Sequence, residues 1–183
     1  MGWSFSRRGE KGAAGKRSSL RKTDDYKEDK QLKIGIDLGG TNLVVALCQE
    51  NGEIVTKLSV PTKVGDPEGV KADMKALAKK VCDNRGTSYK HVTSIGLGVP
   101  GSIVKETCTF EFATNLQMKN VCFVDAFKPE FDVPVYIDND GNCAALGEAA
   151  QGAGRGAQNV VMVTLGTGVG GGLVIGGKLY TGS

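Results

Sequence analysis

Two stretches of this 183-residue chain share one plan. IGIDLGGTNLVVAL (residues 34–47) and VMVTLGTGVGGGLVI (161–175) each run from a β-rich segment through a turn of Gly and Thr into a second β-rich segment. Glycine at such a turn permits φ > 0 and lets the backbone approach a ligand with no Cβ in the way. Successive N–H groups can then converge on phosphate oxygens, with Thr41 and Thr167 adding hydroxyls. The plain alternative is a pair of tight β-hairpins. Two matching turns on either side of an acidic strand end, YIDNDGN (136–142), favour the phosphate reading.

The chain holds 27 glycines, about twice the usual share of roughly 7%. Its net charge of +3 is unevenly spread. Residues 1–31 carry nine Lys or Arg against five Asp or Glu, and the remainder 14 against 15. The basicity therefore belongs to the first 31 residues, which lack apolar periodicity and read as a disordered, solvated tail. A weak electrostatic tether to nucleic acid or membrane is the alternative use of such a tail. Its first residues, Met1-Gly2-Trp3-Ser4-Phe5-Ser6, fit the permissive N-myristoylation pattern. There is no signal-peptide apolar core and no run of 18 apolar residues, so the reading is a cytoplasmic protein without a membrane span.

Five cysteines (Cys48, Cys82, Cys108, Cys122, Cys143) are scattered without C-x-x-C spacing and read as reduced, buried thiols. His91 is the single histidine. Neither a structural zinc site nor a Ser-His-Asp triad is supported within the chain.

From Leu32 the pattern alternates strands and helices. Apolar runs at 32–37, 43–49 and 53–60 read as a meander whose second turn, Glu50-Asn51-Gly52, has a hairpin signature. A helix starts at Asp66 as N-cap with Pro67 in the first helical position and stops at Gly86. Val70, Met74, Leu77, Ala78 and Val81 form its inward stripe. VTSIGLGVPG (92–101) and VPVYIDND (133–140) read as strands, and GNCAALGEAAQG (141–152) as a small-residue helix. The whole argues for an α/β layered domain with polar loops at the strand ends.

Alternation places Ile137 and Asn139 on one face of the acidic strand and Asp138 and Asp140 on the other, with Asp140 at the strand-to-helix junction. Asp140 there can be a helix cap, a general base, or both. A helix N-terminus favours the ionised carboxylate that a base needs.

The segments IGIDLGGTN, IGLGVPG, TNL, VYIDNDGNCAALGEAAQGAG and NVVMVTLGTGVGGGLVIGGKLY, in this order, resemble the ROK family of sugar kinases and related repressors. The resemblance runs from Lys33 to Ser183. It implies an actin-like ATPase architecture, two ribonuclease-H-like domains closing over ATP and sugar, with residues 32–151 as the N-terminal domain and 158–183 as the first hairpin of a second. It further implies Asp140 as catalytic base, Asn139 and Asn115 on sugar hydroxyls, and Gly101 lining the sugar pocket. Asp37 would lie near Mg2+, and the two turns, Gly39, Gly40, Thr41, Asn42 and Gly166, Thr167, Gly168, Gly170, would hold the ATP phosphates.

Several positions depart from the family pattern. Thr114-Asn115-Leu116 stands for Pro-Asn-Leu, Asn139-Asp140-Gly141-Asn142 for Asn-Asp-Ala-Asn, and Val104-Lys105-Glu106-Thr107 for a Val-Asp followed by a glycine turn. Family members also continue past this point with a Glu-x-x-Gly-His sugar-binding segment and the adenine pocket. The expectation is thus an ATP-dependent, glucokinase-like hexose kinase represented by a fragment, inactive alone, whose complete form has room for a homo-oligomer. Nucleic acid is not an expected partner. The rivals are a non-catalytic sugar or nucleotide binder and a ROK-type repressor without its DNA-binding domain, which 31 tail residues cannot supply.

Overall fold

Strong apolar alternation in three successive runs produces an antiparallel meander: β1 (Leu32–Leu38), β2 (Asn42–Cys48) and β3 (Ile54–Pro61). In the computed structural model, which describes residues 31–165 and 169–182, these strands open a five-stranded sheet. Residues 1–30 of the expected tail, and Gly166, Thr167 and Gly168 of the second turn, lie outside the described residues. β4 (Val92–Val99) and β8 (Val135–Asn139) complete the sheet in the order β3-β2-β1-β4-β8, with β1, β4 and β8 parallel. The hairpin at Asn51-Gly52 forms as its sequence requires: Gly52 has φ 86°, and Glu53 N donates to Asn51 Oδ1 at 2.9 Å.

Helix α1 (Pro67–Arg85) lies on one face of this sheet. Asp66 caps it by accepting from Gly69 N, and Gly86 ends it at φ 72°. The predicted stripe is the buried one, meeting Ile34, Ile36, Leu43, Val45, Ile95 and Leu97 in a single core. His91 accepts or shares a hydrogen bond with Thr87 Oγ1 at 3.0 Å, a local structural role.

Between β4 and β8 a second, three-stranded antiparallel sheet forms from β5 (Ser102–Val104), β6 (Thr109–Ala113) and β7 (Met118–Cys122). Phe110, Leu116, Met118, Val121 and Phe123 carry its inner side into the same core.

Helix α2 (Asp140–Gln151) follows β8 directly and packs against a third sheet, β11-β10-β9, made of β9 (Val160–Leu165), β10 (Val169–Ile175) and β11 (Lys178–Tyr180). The sequence predicted a two-stranded hairpin here; Gly176 and Gly177, both at positive φ, turn the chain into a third strand. Gln151 Nε2, at the end of α2, donates to the Asn51 carbonyl and ties the helix to the β2–β3 hairpin.

Candidate functional site

The parallel strands β1, β4 and β8 end side by side, and their register puts Asp37, Gly98 and Asp138 in one row across the sheet. Inward alternation commits Ile36, Leu97 and Ile137 to the α1 side, so Asp37, Gly98 and Asp138 face the other way. A cavity of about 900 Å³ opens on that face, walled by Gly35, Asp37, Gly96, Lys105, Asp138 and Asp140 among others.

Asp140 is the first residue of α2, and the cap is Asn139, whose Oδ1 accepts from Gly141 N (2.9 Å) and Asn142 N (3.4 Å). The cap reading of Asp140 therefore passes to its neighbour, because the chain turns helical one residue earlier than the pattern suggests. Asp140 Oδ1 accepts from Gly141 N at 2.8 Å, and the residue is exposed at the cavity. Asn139 is engaged at both ends: its Nδ2 donates to the Gly101 carbonyl at 3.3 Å. This bond draws the Val-Pro-Gly turn after β4 onto the junction. Gly101 has φ 83°, and a Cβ there would collide with the Phe112 carbonyl, so the turn admits glycine alone.

The structure thus brings together Gly101, Asn139 and Asp140, with Asp37 close enough to Asp140 for its charge to be felt. Partial desolvation first, and then the Asp140 charge, raise the Asp37 carboxyl above its ordinary value. Asp37 nonetheless keeps substantial contact with solvent. Two carboxylates offering only oxygen suit a hard divalent cation that draws its remaining ligands from phosphate and water. No group of three or more His, Cys, Asp or Glu side chains arranged to hold a metal occurs among the described residues.

The first glycine turn forms a second cluster. Gly39 N donates to Asn42 O at 2.9 Å, and Thr62 Oγ1 donates to Gly39 O at 2.7 Å. Thr41 and Asn42 are exposed at its tip. The expected positive φ does not occur at Gly39 or Gly40. Space is tight instead: a Cβ at Gly39 would lie 3.1 Å from Asn42 O, and one at Gly40 would lie 3.2 Å from Asn115 Cβ and Nδ2, so a side chain at either position requires its neighbour to shift by a few tenths of an ångström. Asn115 is accordingly a neighbour of the first turn. Gly170, on β10, has no positive φ either, and a Cβ there would lie 2.8 Å from Thr164 Oγ1.

Pattern reasoning missed one part of the site. Lys105 Nζ donates to Asp138 Oδ2 at 2.6 Å, while Asp138 Oδ1 accepts from Asn139 N and from Asn142 Nδ2, both at 2.8 Å. Burial alone would raise this carboxyl; the Asn142, Lys105 and Asn139 hydrogen bonds outweigh it and hold it below its ordinary value. The only sequence signal was Lys105 itself, a departure from the family pattern. Cys143, beneath the same carboxylates, has its thiol pushed up to about 11, by burial first and then by Asp138, Asp140 and Asp37. It is an inert wall rather than a nucleophile.

The sequence matches the ROK family over residues 33–183. The chain belongs to the ROK family. A glucokinase of Halalkalibacterium halodurans is 38% identical over 150 residues, which cover 81% of this chain and 46% of that protein. The crystal structure of a ROK family glucokinase from Streptomyces griseus in complex with glucose and AMPPNP superposes with a TM-score of 0.73 at 34% identity, covering 83% of this chain and 47% of that one. A xylose repressor of Caldicellulosiruptor bescii is 34% identical over 151 residues, 82% of this chain and 38% of the repressor. The chain thus spans about half the length of the relatives it matches. Its central sheet is that of the ROK sugar kinases, which are actin-like ATPase folds. Among the described residues no helix is long and apolar enough to cross a membrane.

Proposed function

We propose that this chain carries the base-bearing part of an ATP-dependent hexose kinase of the glucokinase type, in which Asp140 accepts the proton of a sugar hydroxyl as it attacks the γ-phosphoryl group. The observation that carries the reading is the Asp140 carboxylate at the first position of α2. One oxygen is tied to Gly141 N and the residue is exposed at a cavity it shares with Asp37. In a loose phosphoryl-transfer transition state a base has mainly to orient the hydroxyl and take its proton late, so an ordinary carboxylate suffices.

Vicinal sugar hydroxyls both donate and accept, which matches the carboxylate and amide groups of Asp140, Asn139 and Asn115, with Gly101 lining the pocket. Asn139 would meet a sugar by exchanging its bond to the Gly101 carbonyl. Gly39, Gly40, Thr41 and Asn42 would meet phosphate oxygens, joined by Gly170 and by Gly166, Thr167 and Gly168. Asp37 would hold the magnesium ion that accompanies ATP and offsets phosphate charge.

The repressor-like relative supports a second reading, sugar binding without turnover. The two separate on one variant. In the full-length protein, Asp140→Asn is expected to lower kcat at least about a hundredfold, the low end of general-base effects, while the glucose Kd measured by calorimetry changes much less. A variant with near-normal kcat would remove Asp140 from the chemistry. Glucose binding by a full-length protein without any turnover would favour the second reading.

A further inference from the structure

Three aspartates wall the cavity, Asp37, Asp138 and Asp140, and Lys105 is the one cation among its described lining residues. Lys105 follows β5, on the sheet inserted between β4 and β8, and reaches 33 residues forward to Asp138, near the end of β8 just before α2. We propose that Lys105 is a positioning residue, which through Asp138 fixes the strand-to-helix junction carrying Asp140; this rests on the reading of Asp140 as the base.

The connections run in one direction. Lys105 occupies Asp138 Oδ2, leaving Oδ1 to hold two partners: the backbone N–H of Asn139, which is the helix cap, and the side chain of Asn142, the third residue of α2. Asn142 N in turn donates to Asn139 Oδ1. Residues on both sides of Asp140 are therefore fixed to one carboxylate, whereas among the described residues the Asp140 side chain accepts a single hydrogen bond, from Gly141 N. The direction of the Asp140 side chain is set by the backbone of the junction.

An exposed ion pair by itself contributes little. This one differs in setting, because Asp138 is mostly covered, with its side chain 22% exposed, and stands among two other carboxylates. Without Lys105 the Asp138 charge would be drawn toward water and away from Asp37 and Asp140. Its hold on Asn139 and Asn142 would loosen as a result. A misplacement of about 1 Å at a reacting group can cost on the order of a hundredfold in rate.

The test uses Lys105→Met, Asp138→Asn, their double variant and Lys105→Arg in the full chain. Amide hydrogen exchange at Gly141 and Asn142 needs no ligand. It is expected to quicken on the order of tenfold in Lys105→Met and in Asp138→Asn, with no further gain in the double variant, as coupled partners behave. Lys105→Arg should restore protection. In turnover, Lys105→Met should lower kcat for glucose on the order of tenfold with KM for ATP little changed, and Lys105→Arg should recover it.

Unchanged exchange at the two amides would overturn the proposal, as would quickening spread equally over the β6 and β7 amides. Quickened exchange with kcat untouched would also overturn it, reducing the pair to a local brace. Should Asp140→Asn leave kcat unchanged, the base reading falls, and the exchange measurement still decides whether Lys105 fixes the junction.

Discussion

The two β-turn-β segments share one sequence plan and end in different surroundings. In the first, Leu32, Ile34, Ile36 and Leu38 of β1 and Leu43, Val45 and Leu47 of β2 are all at most 4% exposed, because α1 lies over them. In the second, Val161, Val163, Leu165 and Val169 are 61–81% exposed, and of the apolar residues in β9 and β10 only Val174 is buried. What β9 and β10 do pack on is α2, where Gly172 sits against Ala145 and the Gly141 carbonyl. The shared motif dictates turn and strand pairing, period-2 alternation included. Whether a strand face becomes core depends on an amphipathic helix supplied elsewhere in the chain.

Truncating a β-strand side chain in each segment separates the two surroundings most strongly. Leu43→Ala is expected to destabilise the chain by about 2–5 kcal/mol, the range for truncating a fully buried leucine. Val163→Ala, at a residue 61% exposed, should stay within about 0.5 kcal/mol. Urea unfolding followed by circular dichroism measures both. Similar losses would show that the outer face of β9 is covered in solution.

A smaller effect tests what holds the second segment in place. A Cβ at Gly172 would lie 2.7 Å from Ala145 Cβ and 2.8 Å from the Gly141 carbonyl. Gly172→Val should therefore cost about 1–3 kcal/mol by overpacking. Its effect should appear first as faster amide exchange in β9–β11 with β1, β2 and β4 still protected. Uniform loss of protection would mean that both sheets unfold as one unit and that α2 is no boundary between them.

How legible each part was follows from how local its determinants are. α1 announced itself through Asp66, Pro67, a clean apolar stripe and Gly86, all decided within the helix. The β2–β3 hairpin did so through Asn51-Gly52. The sheet β5-β6-β7 was not legible: its strands are three to five residues long, Cys108 and Gln117 take positive φ in turns that glycine would have marked, and Asn120 does so within β7. At the site, the junction of Asp138, Asn139 and Asp140 was visible as an acidic strand end. The assignment of the cap to Asn139 turned on one residue of helix start, which pattern does not fix. Lys105 joins the site across 33 residues of chain, and no local rule reaches that far.

The smallest predicted effect concerns the first segment's other side, and its sign carries the information. Gly35 alternates with Ile34 and Ile36 on β1 and so faces the cavity rather than α1. A Cβ at Gly35, or at its β4 partner Gly96, would meet nothing within 4 Å. Glycine inside a strand costs about 0.5–1 kcal/mol relative to alanine through the freedom it retains when unfolded, and Gly35 has no positive φ to justify it. If this face is open in solution, Gly35→Ala raises the stability by about that amount, readable as a small increase in the urea midpoint with the slope unchanged. A loss of stability would mean that another part of the protein lies against Gly35. The first segment would then be enclosed on both faces, while the second is enclosed on one.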